Sequence, residues 1–237
     1  PTTIFAILVG FFVLIKGKRL LLNKLLFLIT LCFSLWTFLN LFAWTNIHSD
    51  FILLIWPYFG IFSASLSVLS IYFIYVFLYQ KDVPFKMKLT FFLLLAPLLI
   101  FAPTNLNLSG FNITYCDPYG FEGVVYKYYY IFVGLLSLIW IPILLNKKYF
   151  KSDVNFKKQI LLLGTGVVLF LFTFFFATFI ASYLAGIGAM DDSRVEMYGL
   201  FGVLIFVTFI GVLITKFNTF RSGLIASQAL VVSLVIL

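Results

Sequence analysis

Long apolar runs separated by short polar stretches, most of them basic, fill this chain from one end to the other. Crossing about 30 Å of hydrocarbon at about 1.5 Å per residue takes about 20 residues of helix. Spans are predicted over 1–15, where the first is shortened at its start, and over 25–44, 51–79, 89–103, 124–145, 160–185 and 199–215, with an eighth beginning at 224. Their apolar residues are continuous, without the every-second-residue alternation of a membrane barrel. Helices, which satisfy their backbone groups within one segment, are therefore expected. The fold class is all-α: a polytopic bundle of seven transmembrane helices plus the truncated start of an eighth. It divides into a seven-helix domain over 1–221 and the opening of a further membrane segment over 222–237. The last residues, Val235-Ile236-Leu237, carry no polar tail, so the sequence reads as the front part of something longer.

Composition removes the soluble alternative. Of 237 residues 63% are hydrophobic and 10% charged, where soluble domains carry about a quarter charged. The formal charge of +8 does not point to nucleic acid, because the cations lie between apolar spans instead of clustering on one soluble face. They act as topology signals. The first connection holds Lys16, Lys18, Arg19 and Lys24, and the third Lys81, Lys86 and Lys88. The fifth holds Lys147, Lys148, Lys151, Lys157 and Lys158, and the seventh Lys216 and Arg221. Only Lys127 and Arg194 are left for the other side. Positive charge stays in the cytoplasm, which predicts an amino terminus outside and odd-numbered connections inside. TTIFAILVGFFVLI is a first membrane helix and not a signal peptide, because it lacks basic residues before it and a small-residue cleavage site after it.

Chemistry is sparse. No Asp, Glu, Lys or Arg falls in the middle of a span, which weighs against a pump, a proton-coupled transporter or a voltage sensor. The single histidine, His48, lies in a short outer connection, and neither Cys32, inside a span, nor Cys116, in a polar loop, is near it in sequence. Both cysteines are expected as free thiols. No metal site, catalytic constellation or phosphate loop is legible, so this segment is expected to be no enzyme and to hold no cofactor.

Small residues on one helix face, Thr173, Ala177, Ala181 and Ala185 every four residues on the sixth span and Gly60, Ala64 and Ser67 every three or four on the third, predict helix-packing seams. Pro57, Pro97 and Pro142 lie in or near spans and predict kinks. At the outer face the connection 104–123 is long enough to form a lid. Around it would gather Trp36, Asn40, Trp44, Trp56, Asp117 and Tyr126, which either form an interfacial aromatic belt or line a pocket for a small molecule or lipid.

Four stretches carry a resemblance. They are LNKLLFLITLCFSLWTFLNLF on the second span, the third from Trp56 to Tyr79 and Gln80, FKKQILLLGTGVVL entering the sixth, and FIGVLITKFNTFRSGLIASQAL leaving the seventh. Together they resemble the seven-helix amino-terminal sensor region of bacterial sensor histidine kinases. The resemblance implies a signal-input domain in the inner (cytoplasmic) membrane, with the bilayer as its surroundings. It further implies a kinase or cyclase module in the same chain, and a homodimer. A stimulus would leave through a signal-coupling turn at Lys216, Phe217, Phe220 and Arg221. His48, expected outside, is not the phosphate acceptor of such a kinase. Two other classes remain open. A small transporter or membrane-complex subunit should show an internal repeat, and none is evident. A eukaryotic seven-helix receptor should carry a charged motif where Tyr79-Gln80-Lys81-Asp82 stands.

Overall fold

Apolar residues without charge leave the backbone of each run no partner but itself, and the runs are helical in the computed structural model. The structure describes residues 2–16, 20–45, 49–112, 119–186 and 198–217. Among these are seven α-helices: α1 (Thr2–Lys16), α2 (Leu20–Thr45), α3 (Ser49–Tyr79), α4 (Phe85–Phe101), α5 (Tyr130–Tyr149), α6 (Val154–Gly186) and α7 (Leu200–Phe217). Four contain apolar stretches long enough to cross a membrane, Leu21–Ala43, Leu54–Tyr79, Tyr130–Tyr149 and Val154–Ala181. The protein is a multi-pass helical membrane bundle.

The expectation of seven full spans is corrected to these four among the described residues. The apolar stretches of α1 and α7 are shorter, Ala6–Ile15 and Leu200–Ile214. Helix α4 has 17 residues, about 25 Å against about 30 Å of hydrocarbon. Its start is set by Pro84, which lies just before it in an extended conformation at φ −64°. The region 222–237, with the expected eighth span, lies outside the described residues.

The all-α bundle carries one small addition, an antiparallel hairpin in the connection 104–123, β1 (Leu108–Asn112) paired with β2 (Tyr119–Glu122). The hairpin is tied down behind its strands, where the Gly123 N–H donates to Asn107 O and the Val125 N–H to Leu106 O, each at 2.9 Å. A Cβ at Gly123 would run into the Leu106 carbonyl, so only glycine fits there. The fifth span, expected from 124, begins as a π-helical turn, Val125–Tyr129, and becomes α5 at Tyr130.

Helix α3, the most buried of the four spanning helices, packs on α2, α4, α5 and α6. Helix α6 adds α5 and α7, and α1 closes the arrangement by touching both α2 and α7. Helix α4 rests against α3 and the π-helical turn. Large apolar side chains such as Phe11, Leu93, Ile139 and Phe176 face outward. In water they would form an aggregating surface, whereas in a bilayer they are the lipid face.

The predicted seams hold helices together. A Cβ at Gly202 of α7 would collide with Thr173 of α6, and one at Gly199 would meet the Ala177 methyl at 3.4 Å. A Cβ at Gly60 of α3 would meet the Tyr126 ring at 3.4 Å, while Ser63, Ala64 and Ser67 are buried. Hydroxyls inside the bundle donate back along their own helices, Ser67 to Ser63 O at 3.3 Å and Thr178 to Phe174 O at 3.0 Å. That satisfies them without a neighbour. Pro57, Pro97 and Pro142 lie within α3, α4 and α5, which continue past them.

Candidate functional site

Rings are the recurring material of the bundle interior. On α2 a three-residue spacing places Phe33 and Trp36 on nearby faces; on α6 a four-residue spacing does the same for Phe170 and Phe174. All four are buried. Their packing makes a continuous path. At one end Tyr126 of the π-helical turn lies 6.4 Å from Trp56 of α3, and Trp56 lies 5.6 Å from Phe59. Phe59 meets Trp36 of α2 at 6.1 Å, and Trp36 sets its edge on Phe174 of α6 at 4.8 Å. Phe174 meets Phe170 at 6.0 Å, and Phe170 stacks on Phe206 of α7 at 5.4 Å. A side branch runs from Tyr126 through Tyr130 and Phe175 to Phe174. Each ring pair contributes about 0.5–1.5 kcal/mol beyond its buried area and has preferred angles. Moving one ring therefore forces its neighbours to re-pack.

Of the expected outer-pocket residues, Trp36, Trp56 and Tyr126 come together in this path. Trp36 and Tyr126 are 3% and 7% exposed, so they are packed ring on ring. Asn40 is half-buried one turn beyond Trp36 on α2. The side chain of Trp44, and Asp117 altogether, lie outside the described residues, as do His48 and Cys116. Asn107, beneath the hairpin, is 2% exposed and turns its amide to Ala102 O at 3.3 Å. The Tyr129 hydroxyl donates to Leu94 O at 3.2 Å, tying the π-helical turn to α4.

The opposite end is built from charge. Helix α3 stops at Gln80, whose backbone is left-handed at φ 55° and whose N–H and side-chain amide donate to Val76 O and Phe77 O. Asp82 follows, and it accepts hydrogen bonds from the Tyr72 hydroxyl, from the Val83 N–H at 2.8 Å and from Lys88 at 2.6 Å. The Lys88 ammonium first, then the Tyr72 hydroxyl, hold the Asp82 carboxyl below the usual carboxylate range. Lys148, at the end of α5, lies 5.4 Å over the Tyr79 ring. Phe77 stacks on Phe156 of α6 at 5.5 Å.

Of the expected coupling turn, Phe217 ends α7 and lines a cavity beside Tyr79 and Lys148. Lys216 belongs to α7 with its side chain outside the described residues, where Phe220 and Arg221 lie as well. Among the described residues no three His, Cys, Asp or Glu side chains gather as a metal site would need. Sequence reasoning missed the middle of the ring path, Phe170, Phe174 and Phe206. Its signal was the four-residue ring spacing on α6, which is also the spacing of any apolar helix face. No protein-family model, curated protein or solved structure matches the chain.

Proposed function

We propose that this chain is the signal-input region of a membrane sensor, of the kind that precedes a histidine kinase in bacteria. In this reading the helical bundle lies in the inner membrane with the amino terminus outside. A stimulus at the outer mouth or within the bilayer shifts the bundle between two packings, and α7 carries the shift to a cytoplasmic module. The observation that supports it is the unbroken ring path from Trp56 and Tyr126 to Phe206 of α7. The amino-terminus-outside orientation rests on the lysine and arginine distribution. A small molecule or lipid drives such a shift only through unequal affinity for the two packings.

The decisive experiment reads the output of the full-length protein. Replacing Phe217 and Phe220 with serine should shift basal output several-fold while the protein remains in the membrane. Unchanged output would sink the coupling role of this turn. The following reading frame is equally sharp. A histidine-bearing dimerisation helix and an ATP-binding domain support a homodimeric kinase, whereas an early stop codon favours a transporter or complex subunit.

A further inference from the structure

Where the end of α3, the α5–α6 connection and the end of α7 meet, there is a cavity of about 440 Å³. That is the size of a small-ligand site, about 300–1,000 Å³, and far larger than a water needs. Its walls include Tyr79, Gln80, Lys148, Lys151, Gln159 and Phe217. Lys148 is half-buried, its ammonium held over the Tyr79 ring at 5.4 Å. Among the described residues the one ion pair is Lys88 with Asp82, so neither Lys148 nor Lys151 is in a salt bridge there. The connection is wound tightly around the first lysine. The Lys151 N–H and the Ser152 hydroxyl both donate to Lys148 O, at 3.1 and 2.8 Å. One carboxylate, Asp153, also lines the cavity, but it accepts the Phe156 N–H at 3.2 Å and caps the first turn of α6. Two lysines in no ion pair among the described residues line the cavity beside one carboxylate already committed to a backbone N–H, which leaves the cavity a receptor for an anion with several acceptor oxygens.

Depth narrows the chemistry. The cavity lies at the end of the apolar spans, and Leu78, Phe156 and Phe217 form its apolar side. We propose that it binds a phosphate-bearing anionic headgroup at the membrane surface. Lysines act on the phosphate as point charges, and the apolar side receives the carbon skeleton that carries it. The binding does not rest on the sensor reading. An occupant would touch Phe217 at the base of α7.

The test uses the full chain in nanodiscs and needs no signalling output. Native mass spectrometry should show phosphatidylglycerol retained over phosphatidylcholine by about tenfold, which corresponds to 1.4 kcal/mol. K148Q with K151Q should abolish that preference, and K81Q with K86Q, the same charge change on exposed side chains that are not among the cavity walls, should keep it. D153N should strengthen retention, although a purely structural role for this cap would make the variant weaker. Glycerol phosphate displacing the lipid would assign the site to soluble phosphate esters; failure to displace it would assign the site to the lipid. Equal loss in both double variants, no loss in the cavity pair, or weaker retention by D153N overturns the proposal. If the cavity pair yields no folded protein, K151Q alone, on an exposed side chain, should lose about threefold, and no loss there overturns it as well.

Discussion

At one end of α3, Trp56 and Phe59 meet rings from α2 and the π-helical turn, and polar groups there bond to backbone carbonyls. At the other end the same helix closes through a left-handed Gln80, and Tyr72, Asp82, Lys88 and Lys148 surround it with charge. The difference follows from depth. Within hydrocarbon an ion pair is too costly to form, and lipid tails compete for apolar contact, so only shape-specific packing distinguishes one helix arrangement from another. At the membrane surface water returns, charges become affordable and packing loosens enough to leave a cavity. A perturbation at the ring end displaces neighbouring rings, whereas one at the lysine end acts through charge.

The comparison breaks most visibly at the ring end. Trp36→Ala removes a buried ring that contacts both Phe59 and Phe174, and large-to-alanine core changes cost about 3–5 kcal/mol. Thermal unfolding of the purified chain in detergent should register that loss. Retention of wild-type stability would show that the ring path is loosely packed.

An intermediate effect of opposite sign is expected near the charged end. Asn23, on the first turns of α2, is fully buried, and neither its side-chain oxygen nor its nitrogen meets a hydrogen-bond partner among the described residues. Removing a buried polar group left without partners gains stability, so Asn23→Leu should stabilise the bundle by about 1 kcal/mol. A loss of that size in the same unfolding assay would mean the amide is bonded, by lipid or by the connection 17–19.

The smallest effect tests the charge itself. The folded-state pKa of Asp82 is depressed. Its contribution is therefore complete above the unfolded value of about 3.9 and is lost as pH falls through the lower folded value. The carboxylate side chain is 48% exposed, so solvent screening keeps the contribution below about 0.5 kcal/mol. Asp82→Asn should lower stability by no more than that amount at neutral pH and flatten the stability profile below about pH 4, where the two proteins converge. An equally steep profile in the variant would remove Asp82 as the source.

The helical bundle, its lipid-facing surface and the small-residue seams were legible in the sequence, because hydropathy and four-residue spacing report directly on which solvent a residue meets. Thr173 and Ala177 against α7 are the clearest instance. Helix ends were less legible. Helix α6 begins at Val154 and not at 160, since Asn155, Lys157 and Lys158 extend the helix beyond the hydrocarbon that the hydropathy measures. The hairpin at β1 and β2 escaped because its strands are short and their pairing is held by Asn107 and Leu106 carbonyls from outside them.

Composition and the order of apolar and charged residues alone determined that this is a multi-pass helical membrane protein. The physical reason is that transfer between water and hydrocarbon is a property of each segment by itself. Which rings touch, and that Trp56, Trp36, Phe174 and Phe206 form one path while Lys148 is brought to Tyr79 and Phe217, was decided by tertiary structure. Contacts between helices depend on rotation and close approach, which hydropathy leaves free and which steric fit at Gly60, Gly199 and Gly202 settles.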